Sequence, residues 1–336
     1  MTIQVIGLAG SPYTRKMVAA LRYRRIPYTL EWRHPLNTYE GRKAPKPALL
    51  PTLYFPESDE PVTDTTPILR RLEREVTGRA LIPDDPATAF LCSLIEDYGD
   101  EWLTKPMFHY RWRYADDIET AQELIVNWAA PQLDDAASAQ MAKAFGDRQI
   151  SRLGYVGSND DTAPVIEAGY QRFLEIINAL IREEGYLFGG RPSTADFALY
   201  GQLTQLTEVD PTPAALAAGV SRRIRGWVNR LDDLSGLEPG EWRRDHAPLA
   251  PLLTEIGRCY VPLLLANDAA IGSGADQFET QVDGVLWRQA TFSYQRKCLQ
   301  WLREEFGALA PDARAEVEAA LEPAGCLPLV HPSYSY

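Results

Sequence analysis

The chain has 336 residues, which at about 150 residues per domain is enough for two domains with sizeable hydrophobic cores. Its 45% hydrophobic and 24% charged residues match ordinary globular proteins and exclude disordered, collagenous and disulfide-scaffold classes. The 34 basic and 46 acidic side chains give a net charge of −12, which disfavours nucleic acid and anionic membrane surfaces as partners.

The four cysteines are widely spaced and form neither a Cys-x-x-Cys pair nor a zinc pattern with a nearby histidine: Cys92, Cys259, Cys298 and Cys326. This spacing predicts reduced thiols and no metal site. The N-terminal residues lack the basic and apolar segments of a secretion signal. No stretch reaches the roughly 18 to 20 apolar residues that span a bilayer, so we expect a cytoplasmic protein without a membrane segment.

The first 80 residues combine strand and helix patterns. Four short apolar or alternating runs predict strands: residues 3–8, 27–34, 52–55 and 61–63. A helix is predicted after Ser11, with Ser11 as N-cap and Pro12 at the first helical position. Another is predicted from Asp64-Thr65, and a basic, proline-rich loop covers 35–47. The predicted order is therefore βαβ followed by ββα.

From Pro86 onward, apolar residues recur at intervals of three and four, as in helices. The stripe from Phe90 to Trp102 lies opposite four acidic residues, Glu96, Asp97, Asp100 and Glu101. Ser193 and Asp196 have the spacing of a capping box at a helix start. We expect helices again over 249–321, interrupted by a glycine-rich loop at 272–274, and no substantial sheet between residues 87 and 321.

Three local features bear on a ligand site, and the first two have both a chemical and a structural interpretation. Ser11 could stabilise a thiolate or another anion at a helix N-terminus, or it could only cap that helix. Asp64 and Thr65 could hold the charged end of a peptide-like ligand, or serve as an N-cap. The Leu50-Pro51 bond is expected to be trans on the sequence alone, because only about 5% of such bonds are cis.

The run from Phe108 to Tyr114 interleaves aromatic and basic residues. Such a run could stack on nucleic acid, but at this net charge a helix with its rings inward and its arginines outward is the favoured interpretation. The sequence contains no Ser-His-Asp order, phosphate loop or zinc-protease motif. The histidines are scattered and are expected on the surface or in the core: His34, His109, His246 and His331.

In combination, these motifs resemble the cytosolic glutathione transferase superfamily over about residues 1 to 235. The most specific segments are 10–16, 50–53, 64–68 and 189–197. The resemblance implies a thioredoxin-like, glutathione-binding α/β domain over 1–80 and an all-helical substrate domain over 86–235. Residues 236–336 form a helical C-terminal extension of unassigned role. A homodimer is also implied.

The resemblance also implies roles for individual residues. Ser11 takes the catalytic position, and Pro51 is expected to be cis, with Leu50 offering backbone hydrogen bonds. The residues expected to bind glutathione are Ser11, Tyr13, Leu50, Pro51, Asp64 and Thr65. The residues expected to line the substrate pocket are Tyr98, Trp102, Phe108, Tyr110 and Trp112. Leu49 stands where the family usually has Lys or Gln.

The leading hypothesis is an enzyme that activates the glutathione thiol for attack on a small, hydrophobic electrophile. The alternative is a non-catalytic binding or interaction protein that keeps the fold, as Leu49 and the extra C-terminal region permit. A third hypothesis, an RNA-associated protein that uses the aromatic and basic run, is disfavoured by the net charge.

Overall fold

The computed structural model describes residues 2–32, 39–183 and 185–331. Its N-terminal part contains a four-stranded mixed sheet in the order β2-β1-β3-β4. The strands are β1 Ile3–Gly7, β2 Tyr28–Trp32, β3 Thr52–Tyr54 and β4 Pro61–Val62. Helix α1, Pro12–Tyr23, follows β1, and helix α2, Thr65–Glu75, follows β4. The predicted βαβ-ββα order is confirmed, while the expected end of the second strand at His34 and the start of the following loop lie outside the described residues.

Strand β1 lies between β2 and β3, and its residues are almost entirely apolar. It runs parallel to β2 and antiparallel to β3. Strand β4 runs antiparallel to β3 and is an outermost strand of the sheet. The side chains of Ile3, Val5 and Ile6 are fully buried. This arrangement gives the sheet one well-packed strand whose end leads directly into α1.

The remaining chain is mainly helical. Its helices are α3 Pro86–Glu101, α4 Thr104–Arg113, α5 Ala115–Ala129, α6 Asp135–Ile150, α7 Ala163–Glu183, α8 Thr194–Thr204, α9 Pro211–Val220, α10 Arg222–Leu231, α11 Ala250–Glu255, α12 Val261–Gly272, α13 Ser293–Gly307 and α14 Pro311–Leu321. Two π-helical turns, Gln205–Val209 and Ile256–Tyr260, follow α8 and α11. The expected capping box is present at α8, where the Asp196 amide donates to Ser193 Oγ and the Ser193 amide donates to Asp196 Oδ2.

The chain divides into two compact units, each built from three stretches of sequence. The first unit consists of Met1–Leu81, Tyr110–Ile150 and Phe197–Pro239, and it contains the four-stranded sheet. The second consists of Ile82–His109, Ser151–Asp196 and Gly240–Tyr336, and it contains α3, α7 and the C-terminal helices. This grouping differs from the sequential division into three segments drawn from the sequence.

A β-hairpin interrupts the C-terminal helices, so the expectation of no sheet after residue 87 is wrong there. Strands β5, Gln277–Val282, and β6, Val285–Ala290, pair antiparallel across a two-residue turn. The turn residues Asp283 and Gly284 have φ of 54° and 78°, as a type I′ turn requires. Asp-Gly between alternating residues is a hairpin signal that was readable in the sequence.

The acidic side of α3, which lies opposite the apolar stripe, is buried in the structure. Glu96, Asp100 and Glu101 are buried and Asp97 is partly buried. Tyr260, from the C-terminal part of the same unit, donates its hydroxyl to Asp97 Oδ2 at 2.8 Å. Helices α13 and α14 also pack on α3. An acidic face that looks solvent-directed in the sequence is therefore covered by a segment more than 150 residues away.

One stretch of the second unit is more apolar than expected. Ala247–Gly272 is long and apolar enough to cross a membrane by length and composition alone, with a mean hydropathy of 1.3. The expectation that no stretch reaches this length is therefore wrong. In the structure, 61% of its most apolar part is buried inside the protein, as in the core helix of a folded domain.

Candidate functional site

The sheet register places three of the segments predicted to bind glutathione at one edge of the sheet. Ile6 near the end of β1 pairs with Thr52 at the start of β3, and Leu53 pairs with Val62 at the end of β4. The chain therefore leaves β1, enters β3 and leaves β4 at the same edge. The segments just beyond these strand ends are Ser11-Pro12-Tyr13, Leu50-Pro51 and Asp64-Thr65.

Ser11 is the N-cap of α1, as predicted. Its Oγ accepts a hydrogen bond from the Thr14 amide at 3.2 Å, and Pro12 is the first helical residue. Ser11 is partly exposed, whereas Thr14 is buried. A serine hydroxyl has one donor and two acceptor positions, so capping leaves its O–H able to donate. The capping and thiolate-stabilising interpretations of Ser11 are thus compatible.

The segment before β3 carries the expected cis-proline. The Leu50-Pro51 bond is cis, which confirms the expectation from the family resemblance and contradicts the one from base rates. Pro51 is buried, and Thr52 Oγ1 donates to the carbonyl of Leu49 at 2.7 Å. The Leu49 side chain is 48% exposed.

Asp64 occupies the N-cap position of α2. Its side chain makes no capping hydrogen bond to the described amides of the first helical turn, so only the side-chain part of the capping interpretation is wrong. Its backbone has φ 80°, which is unfavourable for a residue with a β-carbon and costs on the order of 1–3 kcal/mol. Such strain is found most often at ligand sites. Thr65, the first residue of α2, is buried.

The arginine expected on the outer face of α4 is buried instead. Arg111 is only 3% exposed, and its Nε lies 2.9 Å from Oδ1 and 3.0 Å from Oδ2 of the fully buried Asp210. Burial raises the pKa of Asp210 to about 6, against the opposing effect of Arg111. The prediction that the arginines of this run point outward is wrong at Arg111. Its partner Asp210 is 99 residues away in sequence, where helix periodicity gives no signal.

Helix α5 approaches the loop between β1 and α1 closely, and α8 approaches the first residue of α1. A β-carbon built on Gly10 would lie 2.9 Å from Ile125 Cγ1 and 3.4 Å from Trp128 Cζ3. A β-carbon on Gly201 would lie 2.5 Å from the carbonyl oxygen of Pro12. These contacts place Ile125 and Trp128 beside the residue preceding Ser11, and sequence reasoning had named neither.

Two family models match the chain. The model described as "Glutathione S-transferase, N-terminal domain" matches residues 5–80, and "Glutathione S-transferase, C-terminal domain" matches residues 135–249. The chain belongs to the glutathione S-transferase superfamily. The family and fold predicted from the sequence motifs are thereby confirmed. Residues 81–134 and 250–336 of this glutathione S-transferase-family chain lie outside both matches.

Solved glutathione S-transferases share low sequence identity with the chain. A glutathione S-transferase from Rhodospirillum rubrum F11 is 18% identical, with 71% of this chain and 96% of that chain covered and a TM-score of 0.40. One from Sinorhizobium meliloti 1021 is 16% identical, covering 74% and 98%, with a TM-score of 0.38. One from Methylobacterium radiotolerans JCM 2831, solved in complex with glutathione sulfonate, is 19% identical, covering 69% and 95%, with a TM-score of 0.36. The search of curated proteins gives no match.

The rings predicted to line the substrate pocket of this glutathione S-transferase-family protein are mostly packed in cores. In the second unit, Tyr98 packs against the rings of Phe173 and Tyr260, and Trp102 packs against Trp287. In the first unit, Tyr110 packs against Tyr114 and Trp112 packs against Phe145. Phe108 is partly exposed. The pocket role of these five residues stays a prediction.

One group of side chains in the second unit has ligand atoms close enough together to suit a metal ion. Asp85, His246 and Glu316 have these atoms within 4.8 Å of one another. Two of them already have partners, because Asp85 Oδ2 accepts from the Thr88 amide and hydroxyl while His246 Nε2 lies 2.9 Å from Thr88 Oγ1. The described contacts therefore account for Asp85 and His246 as part of the α3 N-cap.

Proposed function

We propose that the protein is a glutathione-dependent transferase in which Ser11 activates the thiol of bound glutathione. The observation that carries this proposal is the position of Ser11. It is a partly exposed hydroxyl at the N-terminus of a 12-residue helix, at the sheet edge that also holds cis-Pro51 and Asp64. Helix N-termini stabilise anions through backbone N–H groups and the helix dipole.

The reaction uses the second hydrogen-bonding capacity of the Ser11 hydroxyl. Ser11 Oγ accepts from the Thr14 amide and donates its proton in a hydrogen bond to the glutathione sulfur. Together with the positive end of α1, this bond lowers the thiol pKa, so that a larger fraction of the bound thiol is ionised at neutral pH. The thiolate then forms a carbon–sulfur bond with the electrophile. The electron pair moves to the leaving group in substitution, or to an atom that takes up a proton in addition.

The opposite end of glutathione is assigned to the start of α2. The γ-glutamyl carboxylate accepts hydrogen bonds from the N-terminal amides of α2 and from the Thr65 hydroxyl. The glutathione ammonium group donates to the Asp64 carboxylate. Leu50, beside cis-Pro51, offers its backbone to the peptide part of the ligand, and Tyr13 lines the ligand from α1. The unfavourable backbone of Asp64 fits a residue held in place for binding.

The second substrate is proposed to be a small, largely apolar electrophile. Within the first unit, its pocket is assigned to Ile125 and Trp128, which lie beside Gly10. Trp128 is partly exposed and offers a large apolar surface next to the reacting centre. A cytoplasmic homodimer is part of the same proposal.

The Ser11→Ala variant tests the proposal directly. We expect conjugation to slow by about 10² to 10³, the usual effect of removing one preorganised donor, and the pKa of the bound thiol to rise. The affinity for glutathione should change little, because the contacts at Asp64 and Thr65 remain. The pH–rate profile with a chromogenic electrophile and the thermal midpoint are measured on the same variant, with Ser11→Thr as the control that keeps a hydroxyl.

A role limited to capping predicts a different result. Unchanged turnover with a stability lower by roughly 1 kcal/mol would assign Ser11 to structure alone. Loss of activity in Ser11→Ala with recovery in Ser11→Thr supports the proposed thiol activation.

A second candidate function, a non-catalytic binding protein, is favoured by Leu49. This exposed leucine lies two residues before the cis-proline, where the family resemblance calls for Lys or Gln. Titration calorimetry of the wild type with glutathione separates the two functions. Absence of binding, with binding gained in Leu49→Lys, would favour the non-catalytic protein.

A further inference from the structure

We propose that Arg111 and Gln205 are positioning residues that hold the backbone in front of Ser11 and thereby set the geometry in which Ser11 activates the thiol. The inference rests on the proposed function of Ser11. It concerns a buried network in the first unit, and Arg111 comes from a segment that neither family match covers.

Arg111 links three separate parts of the first unit. In addition to its bonds with Asp210, its NH1 donates to the carbonyl oxygen of Gly10 at 3.0 Å. Its NH2 donates to Gln205 Oε1 at 2.8 Å. All of these bonds are buried, so water does not compete with them. The planar guanidinium thus connects α4, the π-helical turn after α8 and the loop that leads into α1.

Gln205 extends this network by one residue along the loop. Its Nε2 donates to the carbonyl oxygen of Ala9 at 3.2 Å and to Thr204 Oγ1 at 2.8 Å. The Ala9 carbonyl also accepts from Arg15 Nε at 3.2 Å. The two carbonyls that precede Ser11 are therefore both held by side chains from other elements. Gln205 itself is fixed by Arg111, which uses the acceptor end of the same amide.

The bond to Gly10 bears directly on Ser11, because one planar peptide joins them. The Gly10 carbonyl and the Ser11 amide belong to that peptide. Its oxygen accepts from Arg111, and its N–H donates to the Leu8 carbonyl at 3.0 Å. With both ends fixed, the peptide cannot rotate without breaking a buried hydrogen bond. Arg111 therefore restrains the backbone from which the Ser11 hydroxyl projects.

The irregular helix after α8 supplies the partners of Arg111. The π-helical turn Gln205–Val209 begins with Gln205 and is followed by Asp210. π-helical turns are rare and are often found at functional sites. Asp210 in turn lies in front of α9, where Asp117 of α5 accepts from the Thr212 amide at 2.9 Å. Several elements of the first unit thus converge on the support for Ser11.

The test uses two variants of different severity and one matched control. Gln205→Met removes the side-chain amide that donates to the Ala9 carbonyl and leaves the buried Arg111–Asp210 pair intact. Arg111→Lys keeps the charge, but an ammonium group cannot reproduce the planar guanidinium that joins three partners. Arg225→Met is the control, because it breaks an exposed ion pair with Glu208 in the same π-helical turn.

In both test variants we expect kcat to fall by about 10-fold or more, since small displacements of a reacting group are costly. The pKa of bound glutathione should rise, while KM for glutathione stays at the wild-type value. Exchange of the Ser11 amide proton should become faster, and Arg225→Met should match the wild type in every measurement. A purely structural role would lower the thermal midpoint without moving the thiol pKa.

Wild-type kcat and thiol pKa in folded Gln205→Met would overturn the proposal, even if Arg111→Lys does not fold. Failure of the proposed function gives a different pattern, because the wild type itself would then show no activated thiol. In that case, Ser11 amide exchange in Gln205→Met still decides whether the network positions the loop: faster exchange supports it, and unchanged exchange rejects it.

Discussion

Asp210 in the first unit and the acids of α3 in the second unit are buried in different ways. In the first unit, Asp210 is fully buried, both of its carboxylate oxygens accept from Arg111 Nε, and its pKa is raised to about 6. In the second unit, burial raises the pKa of Asp97 to about 7 and that of Glu101 to about 8. Lys105, the cation that interacts with Glu101, donates to Gln289 Oε1 and the Val156 carbonyl, and burial lowers its pKa to about 8.

The difference shows what a buried charge needs in order to keep its ionised form. A carboxylate with an arginine fixed at both oxygens stays charged at neutral pH and can organise its surroundings. A carboxylate that has mainly neutral donors and other acids around it holds its proton instead. The support for Ser11 therefore contains a carboxylate that is mostly ionised at pH 7, whereas the acids of α3 change their charge near neutral pH.

The largest effect is expected from breaking the buried pair in the first unit. Arg111→Met leaves Asp210 buried without its cation and should lower the free energy of unfolding by about 3–5 kcal/mol. The double variant Arg111→Met with Asp210→Leu should recover much of this loss, because both charges are then gone. Urea unfolding at pH 7.5 measures both. If the single variant lost less than about 1 kcal/mol, Asp210 would not depend on Arg111.

Predictions from the sequence succeeded where the interacting residues lie close together in the chain. The sequence of strands and helices in residues 1–80, the Ser11 cap and the Ser193–Asp196 capping box depend on residues close together in the chain, and these predictions are confirmed. The cis form of Pro51 was correctly expected only through the family resemblance.

The burial of Arg111 and of the α3 acids depends on partners far away in sequence. Arg111 is paired with Asp210, which lies 99 residues further on, after α8 and its π-helical turn. Asp97 is covered by Tyr260, 163 residues further on. A helical stripe shows which residues share a face, but it does not show what a later segment will place on that face. The hairpin at 277–290 is different, because its Asp-Gly turn was a local signal.

A smaller effect is expected from the acids of the second unit, and it depends on pH. The raised pKa values of Asp97 and Glu101 mean that the folded protein binds more protons than the unfolded chain between about pH 4 and pH 8. The stabilisation from these groups is present below about pH 4 and is lost as pH rises to about 8. Lys105 acts in the opposite direction between about pH 8 and 10.5.

Neutral replacements should remove this pH dependence. Asp97→Asn and Glu101→Gln keep the size of each side chain and cannot ionise. We expect the wild-type thermal midpoint to fall by several degrees between pH 5 and pH 8 and the fall to be smaller in either variant. At pH 5, the variants should resemble the wild type, which serves as an internal control. Parallel curves for wild type and variants would show that these acids do not titrate as inferred.

The smallest effect is expected at an exposed arginine–carboxylate pair that involves the same π-helical turn. Arg225 of α10 donates from Nε at 2.9 Å and from NH2 at 2.8 Å to the carboxylate of Glu208, two residues before Asp210. Its side chain is 63% exposed. Because water solvates both charges when the pair is broken, Arg225→Ala should cost only about 0–1 kcal/mol, and 1 M salt should reduce that cost further. Urea unfolding at low and high salt measures both effects. A loss as large as that in Arg111→Met would mean that burial does not determine the strength of the arginine–carboxylate pairs around this π-helical turn.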